Sequence, residues 1–346
     1  MSLTQPHVLI LGLGYTGTGL ANRIASRHPD WTVTGTVRGG RGGAAQVRYP
    51  LHPRVETIEY GEVLRGSSID LRKHSHVLCT IPPDGGRGDA ALRKLRCRFG
   101  GEVWTGYVST TSVYGDHNGA FVDEESVLMA GFHGPPGSSG SKADAKRKLR
   151  IEEERAWLAG GADVFRCGGI YGPYRNVLDS LIRETRGSEG RSGRGTRRGK
   201  ERTARCHVLD VCRVVERRMV DWVVRGETRT PSVSRCTVFN VVDDDDVGRR
   251  EVEDYVLRET TLFLDYCRGI GLGECDALRE AALAMTSSPS SSSGTMKIAA
   301  EKRVSNKKIK DELGVQLCFP TVWDGLEALV HRGDLRPFDT SIDDVA

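Results

Sequence analysis

Residues His7–Gly17 read H-V-L-I-L-G-L-G-Y-T-G, an apolar run that enters a G-x-G-x-x-G turn and continues into a helix-like stretch, Thr18–Ala25. A short apolar run closed by glycine reads as a buried strand, so the motif sits in the strand–turn–helix setting that gives it meaning. Each glycine then has its own task. Gly12 permits the tight turn, Gly14 lets the backbone approach a pyrophosphate, and Gly17 lets the helix pack closely on the strand. Tyr15 and Thr16 lie in the turn, just before the helix start whose free backbone N–H groups face phosphate oxygens. The competing reading is a glycine-rich turn that binds nothing; the flanking strand and helix favour a dinucleotide-binding start.

The next strand narrows the cofactor. An NAD site usually carries an Asp or Glu about 20 residues past the loop, where it accepts hydrogen bonds from the ribose 2′-OH. Here the strand W-T-V-T-G-T-V, Trp31–Val37, ends at Arg38, followed by Gly39, Gly40 and Arg41. A guanidinium binds a 2′-phosphate in a forked, charge-assisted geometry, so NADP is the expected cofactor, with NAD the alternative. The other reading of Arg38 is a solvated loop cation.

The whole chain sets the outer bounds. Its 346 residues suffice for one α/β domain with a smaller one appended. Fifty basic against 46 acidic residues leave a formal charge of +4, too modest to imply nucleic acid. Nine cysteines show no C-x-x-C pair, which fits reduced thiols and no metal site. There is no apolar run of about 18 residues, and Met1–Pro6 resembles neither a signal core nor a transit peptide, so no membrane partner is expected. The expectation is a soluble, cytoplasmic protein, with an organelle such as the plastid as the alternative.

Short apolar runs alternate with helical stretches, the pattern of a parallel sheet. Candidate strands are His7–Gly12, Trp31–Val37, Val55–Tyr60, His76–Ile81, Glu102–Ser109, Asp163–Arg166 and Thr237–Val241, and Lys142–Ala159 should be a long helix. The predicted architecture is therefore α/β: a doubly wound Rossmann sheet with a smaller C-terminal substrate lobe. Residues 1–174 and 205–242 are assigned to the first, and 175–204 and 243–346 to the second. The Arg- and Gly-rich stretch near 187–199 and the serine run near 287–294 read as loops. The basic stretch Arg183–Arg205 is either a solvated loop or an attractor for an anionic substrate.

Further segments follow the glycine loop in an order that carries a resemblance: Tyr107–Gly115 (Y-V-S-T-T-S-V-Y-G), Phe165–Tyr174 (F-R-C-G-G-I-Y-G-P-Y), Arg205–Val211 (R-C-H-V-L-D-V) and Val238–Asp243 (V-F-N-V-V-D). The chain resembles the extended short-chain dehydrogenase/reductase superfamily of sugar-nucleotide epimerases and dehydratases. Within it, G-L-G-Y-T-G, Ile81–Pro83, Val113–Glu125 and Lys302–Ile309 are most similar to the atypical YeeZ-like subgroup.

The resemblance implies an oxidoreductase or epimerase acting on a small molecule that is nucleotide-sugar-like or otherwise anionic, with a homodimer as the assembly to test. It also implies a catalytic Ser or Thr, plus a Tyr and a Lys four apart on one helix. That pair is missing: no tyrosine of the chain has Lys four residues later, and the family positions fall near Lys146 and Arg150. The Ser/Thr position corresponds to Thr110. Asp89, after Pro82-Pro83, matches an aspartate of the subgroup, and Pro82 and Tyr171 would border the cofactor. Each has a plainer reading. Thr110 can satisfy backbone groups, Asp89 can cap the helical stretch Ala90–Arg98, and Tyr114 can be a packed aromatic instead of an acid. His207 and Asp210 read as fixing a strand-to-helix corner, and His117 and His133 as loop residues near the site. Without the phenol–lysine pair, the alternative function is a non-catalytic NADP(H)-binding sensor or scaffold.

Overall fold

The computed structural model describes residues 5–39, 48–65, 73–83, 103–129, 142–186, 202–225, 237–287 and 302–331. Strand β1 (His7–Leu11) places Val8 and Ile10 on one face and Leu9 and Leu11 on the other, and all four are fully buried. Side chains alternate faces along a strand, so a run that is apolar at every position requires cover on both sides. The rest of the chain supplies that cover.

After β1 come helix α1 (Tyr15–Arg27), β2 (Thr32–Val37), β3 (Val55–Glu59), α2 (Tyr60–Arg65), β4 (His76–Cys79) and β5 (Trp104–Thr110). A 3-10 turn, Thr111–Tyr114, leads to β6 (Phe121–Val122), α3 (Lys142–Ala159), β7 (Asp163–Cys167), β8 (Gly169–Tyr171) and α4 (Val177–Arg186). Then follow β9 (Arg205–His207), α5 (Val208–Arg225), β10 (Val238–Val241), α6 (Arg249–Asp254), α7 (Leu262–Gly269), α8 (Cys275–Ser287), β11 (Arg303–Val304), α9 (Lys307–Leu313) and α10 (Val322–His331). Seven strands form one sheet in the order β10-β7-β5-β4-β1-β2-β3, every pair parallel. All seven predicted strands are present, as is the predicted helix Lys142–Ala159.

Val8 and Ile10 join α1 and α5 in one core, with Leu20, Ile24, Val211 and Val215. Leu9 and Leu11 join Tyr107, Trp157 and Val164 beneath α3 in another. Across the first face Arg23 of α1 pairs with Glu216 of α5 at 2.5 Å, and His28 Nε2 meets the same carboxylate at 2.8 Å. A separate core of helices joins Leu178 and Ile182 with Val252, Phe263, Leu278, Val322 and Leu326, forming the smaller lobe. Ile309, Leu313 and Val315 instead pack in the first core, so the two lobes interleave more finely than a single second segment over 243–346. The predicted loop at 187–199 and most of that at 287–294 lie outside the described residues. Among the described residues no helix is long and apolar enough to cross a membrane.

The order of strands reverses at β1, which has β2 on one side and β4 on the other. In an open parallel sheet the crevice at such a switch point, outside the carboxyl ends of the strands, is where ligands bind.

Candidate dinucleotide and substrate cleft

The glycine turn is built almost wholly from backbone. Gly12 lies at φ +100°, a conformation that favours glycine, and its N–H donates to Thr36 Oγ1 at 2.8 Å. Its carbonyl accepts from Thr80 Oγ1 at 2.7 Å, tying the turn to the end of β4. A Cβ on Gly17 would stand 2.0 Å from that same carbonyl oxygen, whereas a Cβ on Gly14 would meet nothing within 4 Å. Gly17 is therefore required by the packing of α1 on the turn. Gly14 faces open space. It caps α1 without a side-chain hydrogen bond, and the first turn of α1 carries no acid, so the helix start favours an anion. The residues thus fit a dinucleotide: a Gly14 side chain would fill the cradle that a pyrophosphate needs.

In front of this turn lies a cleft of about 560 Å³. Gly14, Tyr15 and Thr16 line one end, Thr80 and Pro82 the side at β4, and Ser109–Ser112 the end of β5. Arg150, Arg175, Arg202 and Lys302 also reach it, and no carboxylate lines it among the described residues. Arg175 stands over the Tyr15 ring at 5.5 Å, and the Tyr15 hydroxyl donates to Pro173 O at 2.9 Å. Burial pushes the Tyr15 phenol well above its usual range, and its proton is committed to the Pro173 carbonyl.

Thr110 ends β5 and lines the cleft. Its Oγ1 accepts from Ser112 N at 3.2 Å, which caps the 3-10 turn and leaves the hydroxyl proton free to donate. Of the two cations expected on α3, Lys146 is exposed and Arg150 reaches the cleft. Arg38 ends β2 as an exposed residue.

Two assignments change. Tyr114 is fully buried and does not line the cleft: its hydroxyl donates to Asn240 Oδ1 at 2.7 Å and accepts from Arg166 Nη1 at 2.9 Å. Burial pushes its phenol to about 12, and it serves as the packed aromatic. Tyr171 also stands off the cleft. Its hydroxyl donates to Thr321 O at 3.2 Å and it borders a second cavity of about 410 Å³, toward the helical lobe. Arg175, Arg183, Arg205 and Arg249 edge that cavity over an apolar floor of Val252, Val322 and Leu326. Asp89 and His133 lie outside the described residues.

His207 and Asp210 do hold a corner. His207 Nδ1 accepts from Leu209 N at 3.2 Å, and burial lowers its imidazole to about 3. The Asp210 carboxylate accepts from Cys318 N and Phe319 N at 2.7 and 3.1 Å, fastening the segment before α10 to the start of α5.

Sequence reasoning missed the polar network beneath the cleft. Glu154 of α3, fully buried, accepts from Arg166 Nη2 at 2.6 Å and from Ser109 Oγ at 2.6 Å. Arg166 continues to Tyr114 and to Glu124 O, and Asn240 N donates to Glu124 Oε1 at 2.7 Å. The available signal was a lone arginine inside the apolar strand D-V-F-R-C, since a buried charge demands a partner.

No family model matches the chain, and no curated protein matches it. Solved structures do. A functionally unknown conserved protein from Silicibacter pomeroyi is 26% identical, with 95% of this chain and 99% of that one covered at a TM-score of 0.60. A dTDP-glucose 4,6-dehydratase from Bacillus anthracis, in complex with NAD, is 17% identical over 94% of this chain and 95% of that one, TM-score 0.59. A UDP-glucuronic acid 4-epimerase from Bacillus cereus, in complex with UDP-glucuronic acid and NAD, is 13% identical over 98% and 100%, TM-score 0.54.

Proposed function

We propose, for a chain whose fold is that of the extended short-chain dehydrogenase/reductases, an NAD(P)-dependent oxidoreductase or epimerase acting on an anionic, nucleotide-sugar-like substrate. One observation carries the reading. A single crevice joins an open glycine cradle at one end to the Thr110 hydroxyl at the other, and among the described residues four cationic side chains and no carboxylate line it. Gly14, Tyr15 and Thr16 would hold the pyrophosphate, and Arg38 would favour NADP by gripping a 2′-phosphate. A bound nicotinamide supplies hydride transfer. Thr110 would donate its hydroxyl proton to a substrate oxygen, and Arg150 and Lys302 would orient negative charge on the substrate. No positioned phenol is available among the cleft residues, and loss of such an acid costs about 10²–10⁴-fold, so turnover of generic sugar nucleotides should be slow.

Titration of NADPH and NADH, followed by the fluorescence of the reduced ring, tests the reading; absence of any dinucleotide binding overturns it. A second reading, a non-catalytic NADP(H)-binding sensor, draws support from Arg150 standing where the family places its lysine and from the withdrawal of Tyr114. Thr110→Val separates the two. In an enzyme it should abolish turnover while NADPH affinity holds, and in a sensor neither should change.

A further inference from the structure

The end of β2 lacks an acid of its own, but the sheet brings one to it. Strand β3 runs parallel to β2 with Val37 paired to Glu59, so the carboxyl ends of the two strands lie side by side. Two residues past Val37, a Cβ on Gly39 would stand 3.1 Å from both carboxylate oxygens of Glu59. That is tighter than ordinary contact with either oxygen, so the Glu59 carboxylate already fills the space a side chain at position 39 would take. Glu59 is half-buried at this corner, while Arg38 is exposed. The two side chains bring opposite charges to one strand end.

This corner is where a dinucleotide-binding fold holds the adenosine ribose. A carboxylate there accepts hydrogen bonds from a free 2′-OH and repels a 2′-phosphate, and a guanidinium does the reverse. We propose that Glu59 is a specificity-determining residue: it supplies from β3 the acid that β2 lacks, restrains the NADP preference set by Arg38, and lets the same site take NAD. The inference rests on the cleft being a dinucleotide site. A side chain at position 39 would press on that carboxylate and displace it by a few tenths of an ångström.

Dissociation constants for NADPH and NADH, measured at one ionic strength, provide the test. Glu59→Gln should tighten NADPH about tenfold and weaken NADH several-fold, whereas Glu59→Asp should stay near the unmodified protein. The gain in NADPH affinity should shrink in high salt, because an exposed repulsion is screened within about 8–10 Å at ordinary ionic strength. Arg38→Ser gives an independent measurement that leaves Glu59 untouched: the protein should then favour NADH by about tenfold or more. A folded Glu59→Gln protein with an unchanged NADPH-to-NADH ratio overturns the proposal, as does an Arg38→Ser protein that binds both equally. If the unmodified protein binds neither dinucleotide, the cleft reading itself falls.

Discussion

The two ends of the cleft are built from different materials. At the glycine end the decisive contacts are backbone ones: a positive φ at Gly12, a carbonyl against Gly17, open space before Gly14. At the other end everything depends on side chains. Thr110 and Arg150 line the cleft, and Tyr114 is withdrawn into a buried network with Arg166 and Asn240. A backbone cradle tolerates extensive side-chain exchange around it. Acid–base chemistry does not, because a single residue carries the proton. A fold of this kind can therefore keep its cofactor site while its chemistry changes or lapses.

The largest expected effect tests whether the second end is locked as firmly as the first. Arg166→Met would leave the fully buried Glu154 carboxylate without its ionic partner, and should cost about 3–5 kcal/mol in urea unfolding. A loss below about 1 kcal/mol would mean that the network is slack and Tyr114 free to reach the cleft. The glycine end comes next. Gly17→Ala forces a methyl into the Gly12 carbonyl and should cost about 3 kcal/mol, while Gly14→Val should leave stability within about 1 kcal/mol and abolish dinucleotide binding. Equal destabilisation by both would show that the space before Gly14 is structural and not a cradle.

A further effect concerns a buried carboxyl off the cleft and is read by pH. Burial, with the nearby Asp210 and Asp245 carboxylates, raises the Asp243 carboxyl from its ordinary value near 4 to about 8. The folded state then holds a proton that the unfolded chain has released, so this contribution is complete below about pH 4 and is lost as pH rises to about 8. Asp243→Asn should remove that slope and raise stability most at pH 8, measured by denaturant titration across the range. Gly14→Val should leave the slope untouched. An unchanged slope in Asp243→Asn would place the titrating group elsewhere.

Much of the molecule was legible in the residues. Strands β1, β2 and β7 are dense in apolar and β-branched side chains, and α3 is rich in helix formers, so local composition and global packing agree. Thr110 was placed because a motif fixes it a set distance before Val113 and Tyr114. The role of Tyr114 was not, since the same V-Y-G serves a catalytic or a packed tyrosine until its neighbours are known. Tyr171 misled for a similar reason. It ends β8, and its hydroxyl reaches Thr321 and the helical lobe, a partner 150 residues away.

The sequence by itself determined the doubly wound sheet, the glycine turn, the missing phenol–lysine pair and the arginine at the end of β2. These are local matters of period, backbone freedom and residue identity, readable within a few turns of chain. Only the tertiary structure decided that Glu59 stands over Gly39, that Glu154 locks Arg166, and that Arg150 reaches the cleft while Tyr114 leaves it. The physical reason is that charge acts through space. A carboxylate 21 residues along the chain from Arg38 becomes its neighbour when parallel strands pair, and spacing in the sequence carries no record of that distance.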